Sequence, residues 1–449
     1  MGSGAGMTDT EHRRTLIGLA RPVYFSLLAS VAAGIINTVW VARLGGDAVA
    51  AVAVATNVEN VLLGVALVFG SGATVLVAHA RGAGDPGAVR AAARGGAGLC
   101  ALIVPVVVAG GWLFRSDLAR LVLGGGDEQG ALRLATSYFA VSMPGMAVFF
   151  AQQLVDGLLK GAGDTRTPMR LALLANGLIL VLDPLLIHAY GVVGAAVATV
   201  AARLVALAVG VVVLRRDPVL RAARTATVGE RPAASVRRTL RTGLPMSADF
   251  TVRQTGALAL IAVVARLGVT SVAAYAVAYK ILYLATMAAY AVRQAASIHT
   301  AHRRGAGRDE RRAIGRQAVL VAGAAGLAAA GLFLVLAPWL PRAFGAPHAV
   351  TAEAALFLRC VGPYLVLMAA FIALGGVFEG SGGAGRVLRV TLLGTALQLP
   401  CALWLSELWG LPGVCAALGA AMAVQCAALL FLARRATAQE PITEFSRVA

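Results

Sequence analysis

A chain of 449 residues in which 59% are hydrophobic and only 13% charged, with a mean hydropathy of +0.79, lacks the polar surface that a water-soluble protein of this size needs. A multidomain soluble protein is excluded and a lipid-facing surface is implied. The net charge of +18 does not point to nucleic acid, because the arginines gather in short gaps between apolar runs, as they do in cytoplasmic loops.

In chain order, Met1–Gly6 resembles a cloning leader before a native start at Met7, and no cleavable signal peptide is evident. Apolar segments follow at 16–42, 49–79, 92–114, 132–160, 168–188, 191–214, 242–266, 270–301, 315–340, 351–379, 387–406 and 410–433. Each reaches the roughly 20 residues that cross a hydrocarbon layer, and the longer ones must tilt or protrude. Arginines crowd 215–241 and 303–316, whereas the gap from His188 to Gly191 holds no Lys or Arg. The basic gaps are expected to be cytoplasmic. An even number of spans then places both termini there, in a multi-pass protein of the plasma (inner) membrane.

An internal repeat organises these spans. Ala42-Arg43-Leu44-Gly45 returns as Ala265-Arg266-Leu267-Gly268, Arg81-Gly82-Ala83-Gly84 as Arg304-Gly305-Ala306-Gly307, and Pro22 as Pro245, all at an offset of 223. Further on, Pro144 pairs with Pro363, Gly191 with Gly410 and Gly194 with Gly413, at an offset of 219. The loss of four residues is expected in the outer loop between spans nine and ten. The expected fold is an all-α membrane protein with twelve transmembrane helices in two parallel six-helix lobes, related by a pseudo-two-fold axis along the membrane normal. The lobes are expected at 16–214 and 242–433. A cytoplasmic N-terminus (1–15), a solvated basic linker (215–241) that only sets topology, and a cytoplasmic tail (434–449) complete the layout.

Ionisable groups inside spans are costly and so point to function. Asp183, in Leu180-Val181-Leu182-Asp183-Pro184, lies about 22 Å along span five at 1.5 Å per residue. Pro184 has no N–H, which frees the carbonyl of Leu180, so a kink and an acid coincide. Asn37 in span one and Glu59 in span two reach similar depths, and the three are the expected ion-coupling residues. Asn57, Asn60, Gln152, Gln153 and Asn176 are candidates for a substrate cavity in this lobe, with Asp156 a weaker one. In the second lobe Asp249 and Arg253 stand at i, i+4, and Arg293 and Lys280 lie in span eight. These four are expected to form a gating or structural ion network. Glu379, ending span ten, is a weaker candidate. Tyr279, Tyr283 and Met287 recur along span eight at near-helical spacing, either as a packing stripe or as a cavity wall that stacks on flat or cationic molecules. No catalytic constellation, metal-ligand spacing or nucleotide-binding loop is present, and the five cysteines read as small buried hydrophobes.

The run Leu159-Lys160-Gly161-Ala162-Gly163-Asp164-Thr165-Arg166-Thr167-Pro168-Met169, followed by Val181-Leu182-Asp183-Pro184-Leu185-Leu186-Ile187, resembles the multidrug and toxic-compound extrusion (MATE) family. Thr167 is expected to cap span five, with Pro168 in its first turn. The resemblance extends to the Ala-Arg-Leu-Gly and Arg-Gly-Ala-Gly elements of both lobes. It implies a V-shaped twelve-helix antiporter that exports organic cations against a proton or sodium gradient, with Asp183 as its span-five acid. The chain departs from the family pattern at Asn37, where an acid is common, and at Ile179, where many members have asparagine. Both changes remove ligands from a sodium site. The resemblance thus implies a monomer in the lipid bilayer that exports small organic, cationic or amphipathic molecules, coupled to protons through Asp183, with no cofactor, no enzyme activity and no nucleic-acid partner. Sodium coupling and a lipid-linked glycan flippase are the alternatives.

Overall fold

The computed structural model describes residues 6–123, 129–343, 345 and 347–439, and among them finds helices and no strand. The first copy of the repeat holds α1 (Asp9–Ala42), α2 (Gly46–Gly82), α3 (Pro86–Leu113), α4 (Arg115–Leu123), α5 (Gln129–Gly161) and α6 (Arg166–Arg216). A short α7 (Pro218–Thr225) follows. The second copy holds α8 (Pro232–Ala265), α9 (Val269–Gly305), α10 (Arg311–Leu336), α11 (Leu340–Ala343), α12 (His348–Cys360), α13 (Gly362–Gly380), α14 (Ala384–Trp409) and α15 (Leu411–Gln439).

Among the described residues 11 helices are long and apolar enough to cross a membrane. The twelfth crossing lies inside α6, whose 51 residues far exceed one span. Gly191 divides it with φ 59 and ψ −137, and Gly410 separates α14 from α15 with φ 62 and ψ −137. A side chain strongly disfavours this backbone region, and three residues on, a Cβ at Gly194 or Gly413 would collide with the carbonyl of Leu186 or Leu405. The same glycine pair therefore builds the same reversal in both copies.

The repeat extends to element ends. α2 and α9 begin and end 223 residues apart, whereas α5 and the α12–α13 pair begin and end 219 apart. The deletion falls between α10 and α12, where four-residue α11 answers nine-residue α4. Span ten, expected as one segment, is divided at Val361 into α12 and α13.

In both copies one helix pair meets backbone to backbone. A Cβ on Gly157 or Gly161 of α5 would strike the carbonyl of Gly70 or Thr74 of α2, and a Cβ on Gly376 or Gly380 of α13 would strike that of Arg293 or Ser297 of α9. The Thr74 hydroxyl also donates to the Gly157 carbonyl at 3.0 Å. In lipid, where hydrophobic association between helices is weak, such close approach is what binds helix to helix.

The chain forms two compact units, one of Phe25–Ser247 and one of the chain up to Tyr24 together with the chain from Ala248 onward. Each boundary falls inside a helix, two residues after the paired prolines Pro22 and Pro245. These units differ from the lobes expected at 16–214 and 242–433. The start of α1 packs with the later unit through its buried face of His12, Leu16, Ala20 and Val23. The start of α8 packs with the earlier unit: Ser235 and Thr239 are buried, a Cβ on Gly95 of α3 would strike both, and a Cβ on Gly243 would strike the Val68 carbonyl. Ser247 donates to the Gly64 carbonyl at 2.7 Å.

The expected solvated linker is likewise largely structured. Asp217 caps α7 by accepting from the N–H groups of Val219 and Leu220 at 3.0 Å, Leu220 and Ala223 are buried, and Arg90 donates to the Ala226 carbonyl at 2.7 Å. Helix α8 begins at Pro232, ten residues before the span expected from hydropathy, because arginine-rich turns lower hydropathy without breaking a helix. The expected tail from 434 continues α15 to Gln439, and 440–449, like most of Met1–Gly6, lies outside the described residues.

The Gly243 contact is testable. Gly243→Ala is expected to lower stability by about 1–3 kcal/mol through overpacking. Gly177→Ala, at a position with open space, leaves it unchanged, both measured by thermal unfolding of the purified protein in detergent.

Candidate functional site

The glycine-rich run before span five folds as a braced turn. Gly163, at φ +91, lies so close to the Arg81 guanidinium that a side chain there would collide with it. In the second copy Arg304 donates to the Ser381 carbonyl, next to Gly382, the counterpart of Gly163. The recurring Arg-Gly-Ala-Gly element thus ends a helix with an arginine that lies against the next glycine turn of its own unit. Asp164, and not Thr167, caps the start of α6, since its Oδ1 accepts from the N–H groups of Arg166 and Thr167 at 2.9 and 3.0 Å. Thr167 lies two residues past the cap position, Thr165, too far inside the helix for its own hydroxyl to serve.

In the earlier unit Asp183 is completely buried. Asn37 Nδ2 donates to its Oδ2 at 2.9 Å, while Oδ1 is buried and has no hydrogen-bond partner among the described residues. Two turns earlier Asn176 Nδ2 meets Ser30 Oγ at 3.4 Å, so α1 and α6 run side by side in register there. Tyr138 of α5 is buried within electrostatic reach of Glu59, Arg203 and Asp183. The structure therefore gathers Asp183 and Asn37 directly, and adds Tyr138 and Arg203, which the sequence reading passed over. Arg203 carried a usable signal, being a charge inside span six. Tyr138 carried none, because an isolated tyrosine beside Phe139 reads as packing.

Glu59, half-buried, also lies within reach of Tyr138. The other candidates in this unit are dispersed: Asn57 and Asn60 are exposed, Gln153 is half-buried and Gln152 buried. Asp156 and Lys160 face each other at i, i+4 on α5, and Asp156 Oδ1 is buried without a hydrogen-bond partner among the described residues.

In the later unit four helices build a buried ion network. Asp249 of α8 meets Arg253 at 2.7 Å and Arg293 Nη2 of α9 at 2.6 Å through Oδ2, and its Oδ1 accepts from Thr391 Oγ1 of α14 at 2.6 Å. Arg293 also donates from Nε to Glu379 Oε1 of α13 at 3.2 Å. Gly375 and Gly376 bring the α13 backbone against Arg293, which is why Glu379 reaches it. Two guanidiniums balance two carboxylates. Glu379 is thus a full member and no cavity-edge acid, and Thr391 was invisible to a search for charges. Lys280, expected in this network, is exposed and outside it, because it lies on another face of α9 from Arg293. The tyrosine stripe divides as well. Tyr283 is exposed and Tyr279 half-buried, with Tyr279 stacked on Tyr275 at 5.8 Å, whereas Met287 is buried in packing and lines no open surface.

The two repeats have diverged in charge. The counterparts of Asp183 and Asn37 are Ala402 and Leu260, and those of Asp249, Arg253, Arg293 and Glu379 are Ser26, Ser30, Gly70 and Lys160. Among the described residues no cluster of three or more His, Cys, Asp or Glu is placed to hold a metal ion.

The sequence model of the MatE family matches residues 22–185 and 245–404, two blocks that begin on the paired prolines and end 219 residues apart. The chain belongs to the MATE family. This is a family of membrane transporters and not of enzymes. A probable multidrug resistance protein NorM of Thermotoga maritima is 28% identical over 309 residues, 67% of this chain and 65% of that protein. An FAD transporter of Shewanella oneidensis is 25% identical over 208 residues, 45% of each chain. The solved outward-facing conformation of a multidrug resistance MATE family transporter shares the fold, with a TM-score of 0.87 at 22% identity over 95% of this chain and 96% of that one. The MATE chain thus spans about two thirds of its NorM relative by sequence and nearly all of its structural neighbour.

The ion network in this MATE protein yields a stability prediction. Arg293→Ala leaves two buried carboxylates short of a counter-charge and is expected to cost about 3–5 kcal/mol. Arg293→Lys, which keeps the charge but loses the fork, should fall between it and the parent protein in thermal unfolding.

Proposed function

We propose that this MATE protein is a secondary antiporter that exports small organic molecules, cationic or amphipathic in character, coupled to proton influx through Asp183. The observation that carries the reading is the buried Asp183 carboxylate, with one oxygen bonded by Asn37 and the other unpartnered among the described residues. A buried carboxylate oxygen with no hydrogen-bond partner is where a proton can be held and released as the unit changes conformation. Its neighbours favour a proton over sodium. Asn37 is a neutral amide that donates a hydrogen bond, and Ile179, one turn before Asp183, is a buried hydrocarbon. Neither supplies a further anionic oxygen to a metal cation. The arginine-rich 215–241 and 303–316 segments support an orientation with both termini in the cytoplasm of a cell whose plasma membrane holds the protein. Export agrees with the names of the NorM relatives, and nothing in the matches favours a glycan flippase.

In proteoliposomes, an inward proton gradient is expected to drive efflux of a fluorescent organic cation, and a sodium gradient alone is not. Asp183→Asn should abolish the proton-driven flux while leaving the melting temperature near that of the parent. Full activity in Asp183→Asn overturns the assignment, and flux driven by sodium alone overturns the choice of ion.

A further inference from the structure

The start of α1 carries a group that the transport reading does not use. His12 is completely buried, and its Nδ1 lies 2.9 Å from Nε2 of the buried His299 of α9, with the rings edge to face. His12 Nε2 lies 3.5 Å from Oε2 of Glu310 in the turn before α10. Nε and Nη2 of Arg303 and the N–H of Met7 donate to that carboxylate and hold it in place. A second pair, Asp9 with Arg316, joins the same two elements. Burial raises the Glu310 carboxyl, but the bonds and charge of Arg303, with Met7 N–H and His12, outweigh it and hold the group below the ordinary glutamate range. Glu310 is therefore an anion across the pH range in which histidine titrates.

The partners fix the protons. A carboxylate 3.5 Å from His12 Nε2 favours the tautomer with its N–H there, in which His12 Nδ1 accepts and His299 Nε2 donates. A first added proton can enter at His299 Nδ1 without disturbing this bond. A second must enter at His12 Nδ1, which sets two N–H groups against each other. The other charges facing the pair are Glu11 on α1 and His302 and Arg303 on α9. Arg303 is already balanced by Glu310, so added protons leave unbalanced positive charge in a closed contact. The earlier unit has Ser235, Leu76, Ala80 and Gly87 at the positions that correspond to His12, His299, Arg303 and Glu310, so the titratable arrangement belongs to the later unit alone.

We propose that His12 and His299 form a proton-binding latch, which holds the start of α1 on α9 when both rings are neutral and releases it when both are protonated. This goes beyond the coupling assigned to Asp183 and does not require it. The same helix carries Asn37, the partner of Asp183.

The test is hydrogen–deuterium exchange of residues 9–20 in the full-length protein in lipid nanodiscs, corrected for intrinsic exchange, from about pH 7.5 down to about pH 4, because burial lowers the His12 imidazole below the histidine reference value. Protection in the parent protein is expected to fall at least about tenfold on acidification, the change that one unit of differential proton affinity produces. His12→Gln and His299→Gln, which keep hydrogen-bonding capacity but cannot take a proton, should lose the step. Glu310→Gln, which keeps both rings and removes the anion favouring imidazolium, should move the midpoint to lower pH. Absence of the step in the parent, persistence in both glutamine variants, or an unmoved midpoint in Glu310→Gln overturns the proposal. Asp183→Asn is expected to retain the step, so the outcome is read independently of the coupling assignment.

Discussion

Contact of backbone with backbone, between α5 and α2 in one unit and α13 and α9 in the other, is the constraint to which the rest of the structure answers. A chain that is 59% hydrophobic gains little by burying one apolar helix against another in lipid, so cohesion must come from proximity. Gly157 and Gly161, with their counterparts Gly376 and Gly380, permit that proximity, and Thr74 adds a hydroxyl bond across it. The polar groups are placed by these contacts. Glu379 and Lys160 each precede the last of the paired glycines by one residue, and Arg293 itself supplies the carbonyl that Gly376 approaches. Packing and buried charge are thus built on the same turns.

One backbone has been given two chemistries. The first copy keeps Asp183, bonded by an amide and near a tyrosine and an arginine. The second replaces the acid with alanine and builds a four-charge network where the first has serines, a glycine and a lysine. A balanced network of two guanidiniums and two carboxylates is suited to hold helices together, whereas an acid with a spare oxygen is suited to exchange an ion. Duplication supplied the scaffold, and divergence at a few buried positions separated the tasks.

Much of this was legible in the sequence, because span length, arginine placement and a fixed offset between copies are properties of the chain itself. Asp183 with Asn37, and Asp249 with Arg253 and Arg293, could be expected because charges in apolar runs are conspicuous. Partners that are neither charged nor amide, such as Tyr138 and Thr391, were not conspicuous. Periodicity showed that α1 and α8 each have a face to bury, and it could not show against what. The exchange of their first turns between units depends on long-range contacts, those of Gly243 with Val68 and His12 with His299, that leave no local trace. Lys280 failed for a related reason: a charge in the right span still needs the right face.

The unit boundaries at Tyr24 and Ser247 bear on how the protein is made. The segment Phe25–Ser247 is one continuous stretch of chain, so no part of its compact unit has to wait for residues made after Ser247. The opening turns of α1 do have to wait. Their partners, from His299 to Arg316, are synthesised nearly three hundred residues later, so the first part of the protein to be made is among the last to find its place. A gene divided in the 215–241 region would therefore yield two products, each lacking a piece of its own unit and carrying a piece of the other's.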